Sequence, residues 1–484
     1  MEEKEDKAGQ AQCGSECPEK EESAAAKRSN ELTWTFKDCS ARLDAGQTEE
    51  AGKFAEGYKI FLDRAKTERE FAEVALEECQ KAGYHLFEPG QELRPGDRVF
   101  HLNRNKAVIM TTVGREPLEK GLRITVSHVD SPRLDLKPMP VTEKSGIAYL
   151  KTHYYGGIKK YQWVTVPLAL HGVTARNGQE NIRICIGEKE DEPVFCISDL
   201  LPHLASDQMD RKLREAIKGE ELTAVAASTP FDPESKEKDL VKLRFLDIMN
   251  RKYGITEKDF LTSELSLVPA GHARDVGADG ALVGSYGQDD RICAYAALRA
   301  ELGCTAPAHT TVTVFADKEE IGSCGNTGMN SDFLLHHIQD LCRTMKADER
   351  TVLRNSWALS ADVGAAFDPV FPSVFDEQNS CHLGKGCVLT KYTGARGKSG
   401  SNDASAETLA FITGILDEAN VPWQIGEIGA VDAGGGGTVA LFIAGMDVNT
   451  VDLGVPILSM HSPFELSSKA DLYSLYLGLS AFLK

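Results

Sequence analysis

The alternation of apolar strands with helices after residue 263 limits most strongly what this chain can fold into. The candidate strands are residues 310–316, 357–363, 386–392, 438–444 and 451–458. The candidate helices are residues 289–302, 331–345, 403–420 and 469–483. Alternation of this kind predicts an α/β fold, in which helices flank both faces of a mixed sheet.

The chain before residue 263 divides into regions of different character. Residues 1–30 contain no Leu, Ile, Val, Phe, Tyr or Trp, so we expect a disordered acidic tail that cannot offset the entropy of ordering. Residues 52–82 have apolar side chains at helical spacing, and short strand-like runs follow at 98–103, 106–113 and 122–127.

Residues 132–268 have several β-rich runs and then a polar stretch, 207–258, that is predicted to be helical. We interpret this region as a β-rich insertion that acts as a lid or in oligomerisation. The catalytic domain is then interrupted: residues 31–131 form its first part and residues 269–484 its second.

Composition excludes several classes of function. Lys and Arg number 54 against 73 Asp and Glu, which gives a net charge of −19 and argues against nucleic-acid binding. The chain has no run of 18 apolar residues to span a membrane and no apolar signal-peptide core. Its twelve cysteines are scattered, so we expect free thiols and a cytoplasmic protein.

Charged and histidine side chains follow four of the candidate strands. His128 and Asp130 follow the run 122–127, and Glu319 and Glu320 follow 310–316. Asp362 lies at the end of 357–363, His461 comes after 451–458, and Asp289 lies where a glycine-containing turn opens a helix. Because ligand sites in open α/β sheets form beyond the carboxyl ends of the strands, these side chains can converge.

Each of these residues has an ordinary structural interpretation when taken alone. A histidine at a strand end is more often structural than a ligand, a Glu-Glu pair is usually solvated, and Asp289 is first read as a helix-capping residue. Together, however, they place several carboxylates and two histidines beside apolar strands, where unpaired charge is costly. Divalent cations can neutralise such charge, which indicates a hydrolytic site with two metal ions about 3.5–4 Å apart.

Five motifs, in this order, are similar to those of one known family. They are HVDSPR (128–133), GQDDR (287–291), DKEEIGS (317–323), SADVG (360–364) and SMHSPFE (459–465). They resemble the motifs of the aspartyl aminopeptidase and aminopeptidase I family, the eighteenth metallopeptidase family. YYGGI (154–158) resembles the Tyr-Gly-Gly segment of that family's inserted domain, and the resemblance covers about residues 31–484.

The resemblance implies a role for each matching residue. The metal ligands that it implies are His128, Asp289 as the bridging carboxylate, Glu320, Asp362 and His461. Asp130 is similar to the aspartate that orients the first histidine, and Glu319 to the general base. Two histidines with oxygen ligands suit two Zn²⁺ ions per subunit, although Co²⁺ or Mn²⁺ also fit such a set. The family forms closed homo-oligomers, commonly tetrahedral dodecamers.

The leading functional hypothesis is therefore a metal-dependent aminopeptidase that acts on peptides with a free N-terminus. One alternative is a related co-catalytic zinc hydrolase, either a carboxypeptidase or an acyl-amino-acid deacylase. Another is a catalytically silent assembly protein with the same fold. The presence of Glu319 and of all five ligand candidates argues against the silent protein.

Three further residues bear on the side chain of the substrate. In family members specific for acidic residues, a second histidine follows four positions after the one that His203 resembles, but this chain has Asp207 there. A carboxylate near the pocket would repel acidic substrates. Lys391, with Thr390 as the competing alignment, argues the other way unless it pairs with Asp207. We therefore expect neutral or broad specificity.

Overall fold

Residues 23–484 are described by a computed structural model, so the disorder expected for residues 1–22 lies outside the described part. Residues 23–36 form a unit of their own. It contains the helix Ala24–Leu32, whose N-terminus is capped by the Ser23 hydroxyl, which accepts a hydrogen bond from the Ala26 amide. Residues 24–30 of the expected tail are helical in this structure, because alanine and a serine N-cap favour a helix even without large apolar side chains.

A nine-stranded mixed sheet is the main sheet of residues 37–484. In spatial order its strands are His85–Leu86, Arg98–Asn103, Ala107–Thr112, Thr311–Ala316, Arg123–His128, Trp357–Ser360, Asn449–Gly454, Cys387–Thr390 and Trp423–Ile425. The four strands from Thr311–Ala316 to Asn449–Gly454 are mutually parallel. Their carboxyl ends therefore meet at one edge of the sheet.

Helices cover both faces of this sheet. They are Ala45–Arg64, Glu68–Lys81, Gln288–Gly303, Phe333–Met345, Glu349–Asn355, Ala406–Glu418, Ala440–Ala444 and Lys469–Leu483. Neighbouring strand residues point to opposite faces, so that Met110 and Phe315 join one apolar core while Ile109 and Val314 join the other. The predicted α/β fold class is confirmed. None of the helices within residues 23–484 has the length and apolarity to cross a membrane.

A second, six-stranded sheet is built entirely from residues between Arg133 and Pro269. Its strands, in spatial order, are Ile182–Ile186, Leu168–Thr174, Ser263–Pro269, Arg133–Lys144, Ile147–Tyr155 and Thr223–Ala227. It has its own apolar core, in which Trp163 is fully buried and to which the helix Leu240–Tyr253 contributes Phe245 and Met249.

The polar stretch 207–258 is helical only in part. One helix of fourteen residues, Leu240–Tyr253, lies in it, but Thr223–Ala227 is a strand at the edge of the six-stranded sheet. The helices Ser206–Met209 and Leu213–Ala216 are four residues long each. The prediction failed because polar composition alone carries no periodicity, and Thr223–Ala227 is apolar enough to pair as an edge strand.

A third sheet has five short strands, which are Arg274–Val276, Leu282–Ser285, Glu465–Ser468, Pro456–Leu458 and Gly364–Ala365. The predicted single strand 451–458 is divided between two sheets, because Asn449–Gly454 belongs to the nine-stranded sheet and Pro456–Leu458 to this one. Proline at 456 lacks the amide needed to continue a central strand.

Two other predicted elements differ from the observed ones. Residues 438–444 were predicted as a strand, but Ala440–Ala444 is a helix that buries Ala440 and Ile443, three residues apart. Short apolar runs do not distinguish a strand from a buried helix. The helical pattern 52–82 is two helices, because Thr67 caps the second one with its side chain.

Candidate metal centre and active site

Four of the predicted site residues lie at the carboxyl edge of the nine-stranded sheet. His128 is the last residue of one central strand, Glu319 and Glu320 follow the neighbouring strand, and Asp362 follows a third. These strands are adjacent and parallel, so their ends place the four side chains next to one another.

The five-stranded sheet positions two more of the predicted site residues. Asp289 comes after Leu282–Ser285, and His461 after Pro456–Leu458. Both strands pair antiparallel with Glu465–Ser468, so they run in the same direction and end at the same side of that sheet. All five predicted metal ligands are therefore brought together from parts of the chain that are distant in sequence.

The five side chains form two groups that share Asp289. In the first group, Nε2 of His128 lies 3.2 Å from Oδ1 of Asp289 and 3.9 Å from Oδ1 of Asp362. In the second, Nε2 of His461 lies 3.1 Å from Oδ2 of Asp289 and 3.5 Å from Oε1 of Glu320. Within each group the potential ligand atoms all lie within 4.8 Å of one another. Asp289 thus offers one oxygen to each group, which is the arrangement expected of a bridging carboxylate.

The two histidines are oriented by contacts at their other ring nitrogen. Nδ1 of His128 lies 3.0 Å from the backbone carbonyl oxygen of Asp130 and 3.4 Å from its carboxylate. Nδ1 of His461 lies 2.7 Å from the carbonyl oxygen of Gly157. Both contacts favour a proton on Nδ1 and leave the lone pair of Nε2 directed at the carboxylates, as metal-binding histidines require.

Asp130 connects the histidine with the loop that carries the two glutamates. Its Oδ1 accepts a hydrogen bond from the amide of Glu319 at 3.1 Å, and its Oδ2 one from the amide of Glu320 at 3.2 Å. The hydroxyl of Tyr155 donates to Oδ2 at 2.8 Å. His128, the hydrogen bond from Tyr155 and the charge of Arg133 lower the pKa of the fully buried Asp130 despite its desolvation, which favours the carboxylate form that these donors bind.

Glu319 lies beside the two groups without belonging to either. Its Oε2 is 3.9 Å from Nε2 of His128. Burial raises the pKa of Glu319 to about 7, with His128 opposing the shift and Asp289 adding to it. A carboxyl group with a pKa near neutrality can both take up and release a proton at physiological pH.

The site has more buried negative charge than its protein partners neutralise. Among the described residues, both carboxylate oxygens of Asp290 and Oε1 of Glu320 have no hydrogen-bond partner. Burial, together with neighbouring carboxylates, raises the pKa values of Glu320 and Asp362 well above their usual range. Two imidazole nitrogens and several carboxylate oxygens around this charge are a donor set that fits zinc.

Two further residues contribute to the site without a signal in the sequence. Glu465 is fully buried and accepts hydrogen bonds from the amides of Asp289 at 3.2 Å and His461 at 2.7 Å, which fixes a residue of each group. Burial raises its pKa to about 8. Tyr155 reaches Asp130 from the six-stranded sheet. Both lie inside motifs already quoted, SMHSPFE and YYGGI, but nothing in their spacing reveals the contact that each one makes.

The three residues predicted to bind the substrate side chain are not part of this cluster. His203 and Asp207 lie on the surface of the region 132–268, and within residues 23–484 neither makes an ion pair with the metal-site residues. Lys391 forms an ion pair with Asp403, and no pairing with Asp207 occurs within the described part of this chain.

Comparison with known proteins gives a consistent result. A sequence model of the family described as aminopeptidase I zinc metalloprotease (M18) matches residues 61–483. The chain is 46% identical over 462 residues to a probable M18 family aminopeptidase 1 of Clostridium acetobutylicum, covering 94% of this chain and 99% of the relative. It is 44% identical to the protein of the same description from Thermotoga maritima, covering 90% and 96% of the two chains.

Comparison with solved structures indicates the same family. The crystal structure of an M18 aminopeptidase from Thermotoga maritima has a TM-score of 0.88 at 42% identity, covering 93% of this chain and all of that one. Aminopeptidase I from Clostridium acetobutylicum has a TM-score of 0.88 at 44% identity, with 94% and 100% covered. Yeast aminopeptidase 1, at 20% identity and a TM-score of 0.72, shows the shared fold alone.

Proposed function

The chain belongs to the aminopeptidase I family of zinc metalloproteases, M18, and from this premise we propose that it removes the N-terminal residue of peptides with two metal ions and a glutamate base. The observation that carries the proposal is the position of Asp289, which directs one carboxylate oxygen to each of two separate ligand groups. A site for a single ion would not need a second group on the far side of this carboxylate.

In this proposal, His128, Asp289 and Asp362 hold one ion, and Asp289, Glu320 and His461 hold the other. Zn²⁺ suits the ligands best, with Co²⁺ or Mn²⁺ as alternatives. When bound, two such ions lower the pKa of water and stabilise the negative charge that develops on the oxygen of the scissile carbonyl.

Glu319 is proposed as the general base. The adjacent side chains of Glu319 and Glu320 serve different purposes, because only Glu320 approaches the second ligand group while Glu319 stays beside His128. Glu319 takes a proton from the attacking water and transfers it to the amine that leaves, as a general base and then a general acid. Asp130 holds the amide of Glu319 and so fixes the position of the base.

The proposal is tested with metal-loaded full-length protein. Leucine 7-amido-4-methylcoumarin should be hydrolysed, its N-acetylated form should not, and a chelator should abolish activity that added Zn²⁺, Co²⁺ or Mn²⁺ restores. Hydrolysis of N-benzyloxycarbonyl dipeptides at their C-terminus, or of N-acetyl amino acids, would favour the carboxypeptidase or the deacylase instead. Inactivity on all of these substrates would indicate a silent assembly protein.

We also propose that the chain forms a homo-oligomer, possibly a dodecamer, through the region 132–268. A solved structure of the Saccharomyces cerevisiae relative is a dodecamer. In this chain, large apolar side chains are exposed close together between residues 194 and 213. They are Val194, Leu200, Leu201, Leu204, Met209 and Leu213. Clustered exposed apolar residues of this kind mark protein interfaces.

His203 and Asp207 lie within that exposed segment, so an interface there would bring them against another copy of the chain. We propose that Asp207 contributes negative charge near a neighbouring active site and disfavours acidic substrates. Lys391 is paired with Asp403, which reduces its availability to an acidic side chain. Neutral or broad specificity remains the expected result.

A further inference from the structure

Arg133 lies in the six-stranded sheet directly beside Tyr155. It is the first residue of the strand Arg133–Lys144, and it pairs in register with Tyr155, the last residue of Ile147–Tyr155. Arg133 is only 9% exposed, and a charge that is buried to this degree requires partners. Its contacts therefore show what holds the guanidinium and what the guanidinium acts on.

Two carboxylates hold the guanidinium of Arg133, and they come from different parts of the fold. Nε donates a hydrogen bond to Oδ1 of Asp135 at 2.8 Å, and Nη1 donates one to Oε2 of Glu68 at 3.2 Å. Asp135 is itself fixed by the hydroxyl of Ser266, which donates to Oδ1 at 2.6 Å. Glu68 is the first residue of the helix Glu68–Lys81, which covers the nine-stranded sheet. Two acceptors in different directions fix the plane of a guanidinium, because its donors form a rigid fork.

The guanidinium that is fixed in this way lies over the ring of Tyr155. Its central carbon is 4.0 Å from the ring centre, and a cation over an aromatic face is attracted most strongly where water is excluded. Burial and Asp130 raise the pKa of Tyr155, and the charge of Arg133 opposes that rise. The cation therefore favours the polarised hydroxyl that donates to Asp130 at 2.8 Å.

We infer that Arg133 is a positioning residue for the hydrolysis: it holds Tyr155 against Asp130 and thereby sets the position of Glu319. The inference rests on the proposed function, because it takes Glu319 to be the base. Each contact in this series is a direct one, from Glu68 to Arg133, to the Tyr155 ring, to Asp130 and to the amide of Glu319. Arg133 thus links the helix that begins at Glu68 with the base, without being one of the proposed metal ligands.

A double-mutant cycle tests whether Arg133 acts through the hydroxyl of Tyr155. Metal-loaded full-length wild type, Arg133→Gln, Tyr155→Phe and the double variant are compared on leucine 7-amido-4-methylcoumarin. Arg133→Gln should lower kcat about tenfold, the lower end of the range for residues that orient a metal site from behind, with KM and bound metal nearly unchanged. In the Tyr155→Phe background the same substitution should lower kcat by less than about threefold, because the hydroxyl through which Arg133 acts is already absent.

Two further variants separate positioning from a general contribution to stability. Arg69 lines the same cavity as Arg133 and Tyr155, and its Nε donates to Glu264 of the six-stranded sheet at 2.8 Å. Arg69→Gln removes this ion pair and should leave kcat unchanged, even where the melting temperature falls. Arg133→Lys keeps the charge without the planar fork, so it should retain more activity than Arg133→Gln. If Arg133→Gln does not fold, the cycle is run with Arg133→Lys, for which we expect a loss of kcat of about threefold.

The results distinguish the inference from the proposed function. The inference is overturned if the two losses of kcat multiply in the double variant, if Arg69→Gln lowers kcat as much as Arg133→Gln, or if bound metal falls in proportion to activity. In each of these cases the wild type still hydrolyses substrates with a free amino group, and the proposed function stands. A wild type that hydrolyses no such substrate overturns both.

Discussion

The hydroxyl of Tyr155 offers the sharpest test of how the active site is held together. It donates a hydrogen bond of 2.8 Å to Oδ2 of Asp130, the carboxylate that also accepts the amides of Glu319 and Glu320. The substitution Tyr155→Phe removes this one bond. It retains the aromatic ring, on whose face the guanidinium of Arg133 lies 4.0 Å from the ring centre.

The expected magnitude follows from the charge of the acceptor. A hydrogen bond to a charged group contributes about 1.5–3 kcal/mol, and every 1.4 kcal/mol corresponds to about a tenfold change in rate. Asp130 keeps two amide donors in the variant, so the free energy lost with the Tyr155 hydrogen bond lies toward the lower end of this range. We therefore expect kcat to fall roughly ten- to thirtyfold, with KM nearly unchanged, because Tyr155 acts on the position of Glu319 and not on the binding of the substrate.

The assay compares kcat, KM, bound metal per chain and melting temperature in the wild type and in two variants. Tyr154→Phe is the matched control, since the neighbouring hydroxyl makes no hydrogen bond to any of residues 23–484 and Tyr154 is 40% exposed. That variant should match the wild type in all four quantities. Tyr155→Phe should lose activity while it keeps its metal, and its melting temperature should fall by no more than a few degrees.

Two results would refute this reasoning. If Tyr155→Phe turns over substrate at the wild-type rate, the bond to Asp130 does not position the base. If metal and activity are lost in equal proportion, Tyr155 supports the ligands and not Glu319.

Four further predictions follow from the same structure. Glu319→Gln should keep its metal but lower kcat by about 10²–10⁴-fold; near-normal turnover would contradict its role as base. Glu320→Gln should instead lose bound metal, measured by elemental analysis, with unchanged metal content as the contrary result. Burial lowers the pKa of His337 to about 3, whereas a histidine in the unfolded chain has a pKa of about 6.5. Between these pH values only the unfolded chain binds a proton at this residue, so the free energy of unfolding falls as the pH drops below about 6.5, by up to about 1.4 kcal/mol per pH unit. The melting temperatures at about pH 5 and about pH 7 should therefore differ less for His337→Gln than for the wild type, and an equal difference would be evidence against this. Light scattering should give a mass several times the 52.7 kDa of one chain, reduced by Leu204→Glu; a monomer at micromolar concentration would refute the proposed assembly.

The sequence was most informative where function depends on strand ends. Apolar strands followed at once by His128, Glu319 or Asp362 can be recognised without a structure, and parallel pairing then brings their ends together. The convergence of Asp289 and His461 on the same site was harder to predict, because the strands that precede them lie in a different sheet. The predicted strand 451–458 concealed that change of sheet, which occurs near Val455.

Contacts between distant segments could not be predicted in this way. Glu465 follows His461 by four residues, but nothing local shows that its carboxylate turns back to the amide of Asp289. The helix Ala440–Ala444 was mistaken for a strand since a run of five to seven apolar residues fits both. In these cases tertiary packing decides what local propensity leaves open.

The six-stranded sheet takes part directly in the geometry of the active site, and this changes what the region 132–268 must do. Tyr155 donates to Asp130, and the carbonyl oxygen of Gly157 lies against Nδ1 of His461. Between them, Gly156 has a φ of +75°, and a Cβ there would lie 3.1 Å from Oε2 of Glu320, so only glycine permits this approach without strain. Three consecutive residues thus lie against Asp130, Glu320 and His461, respectively. A shift of this sheet relative to the nine-stranded sheet would loosen all three contacts at once, and the region therefore fixes the catalytic geometry as well as any interface that it forms.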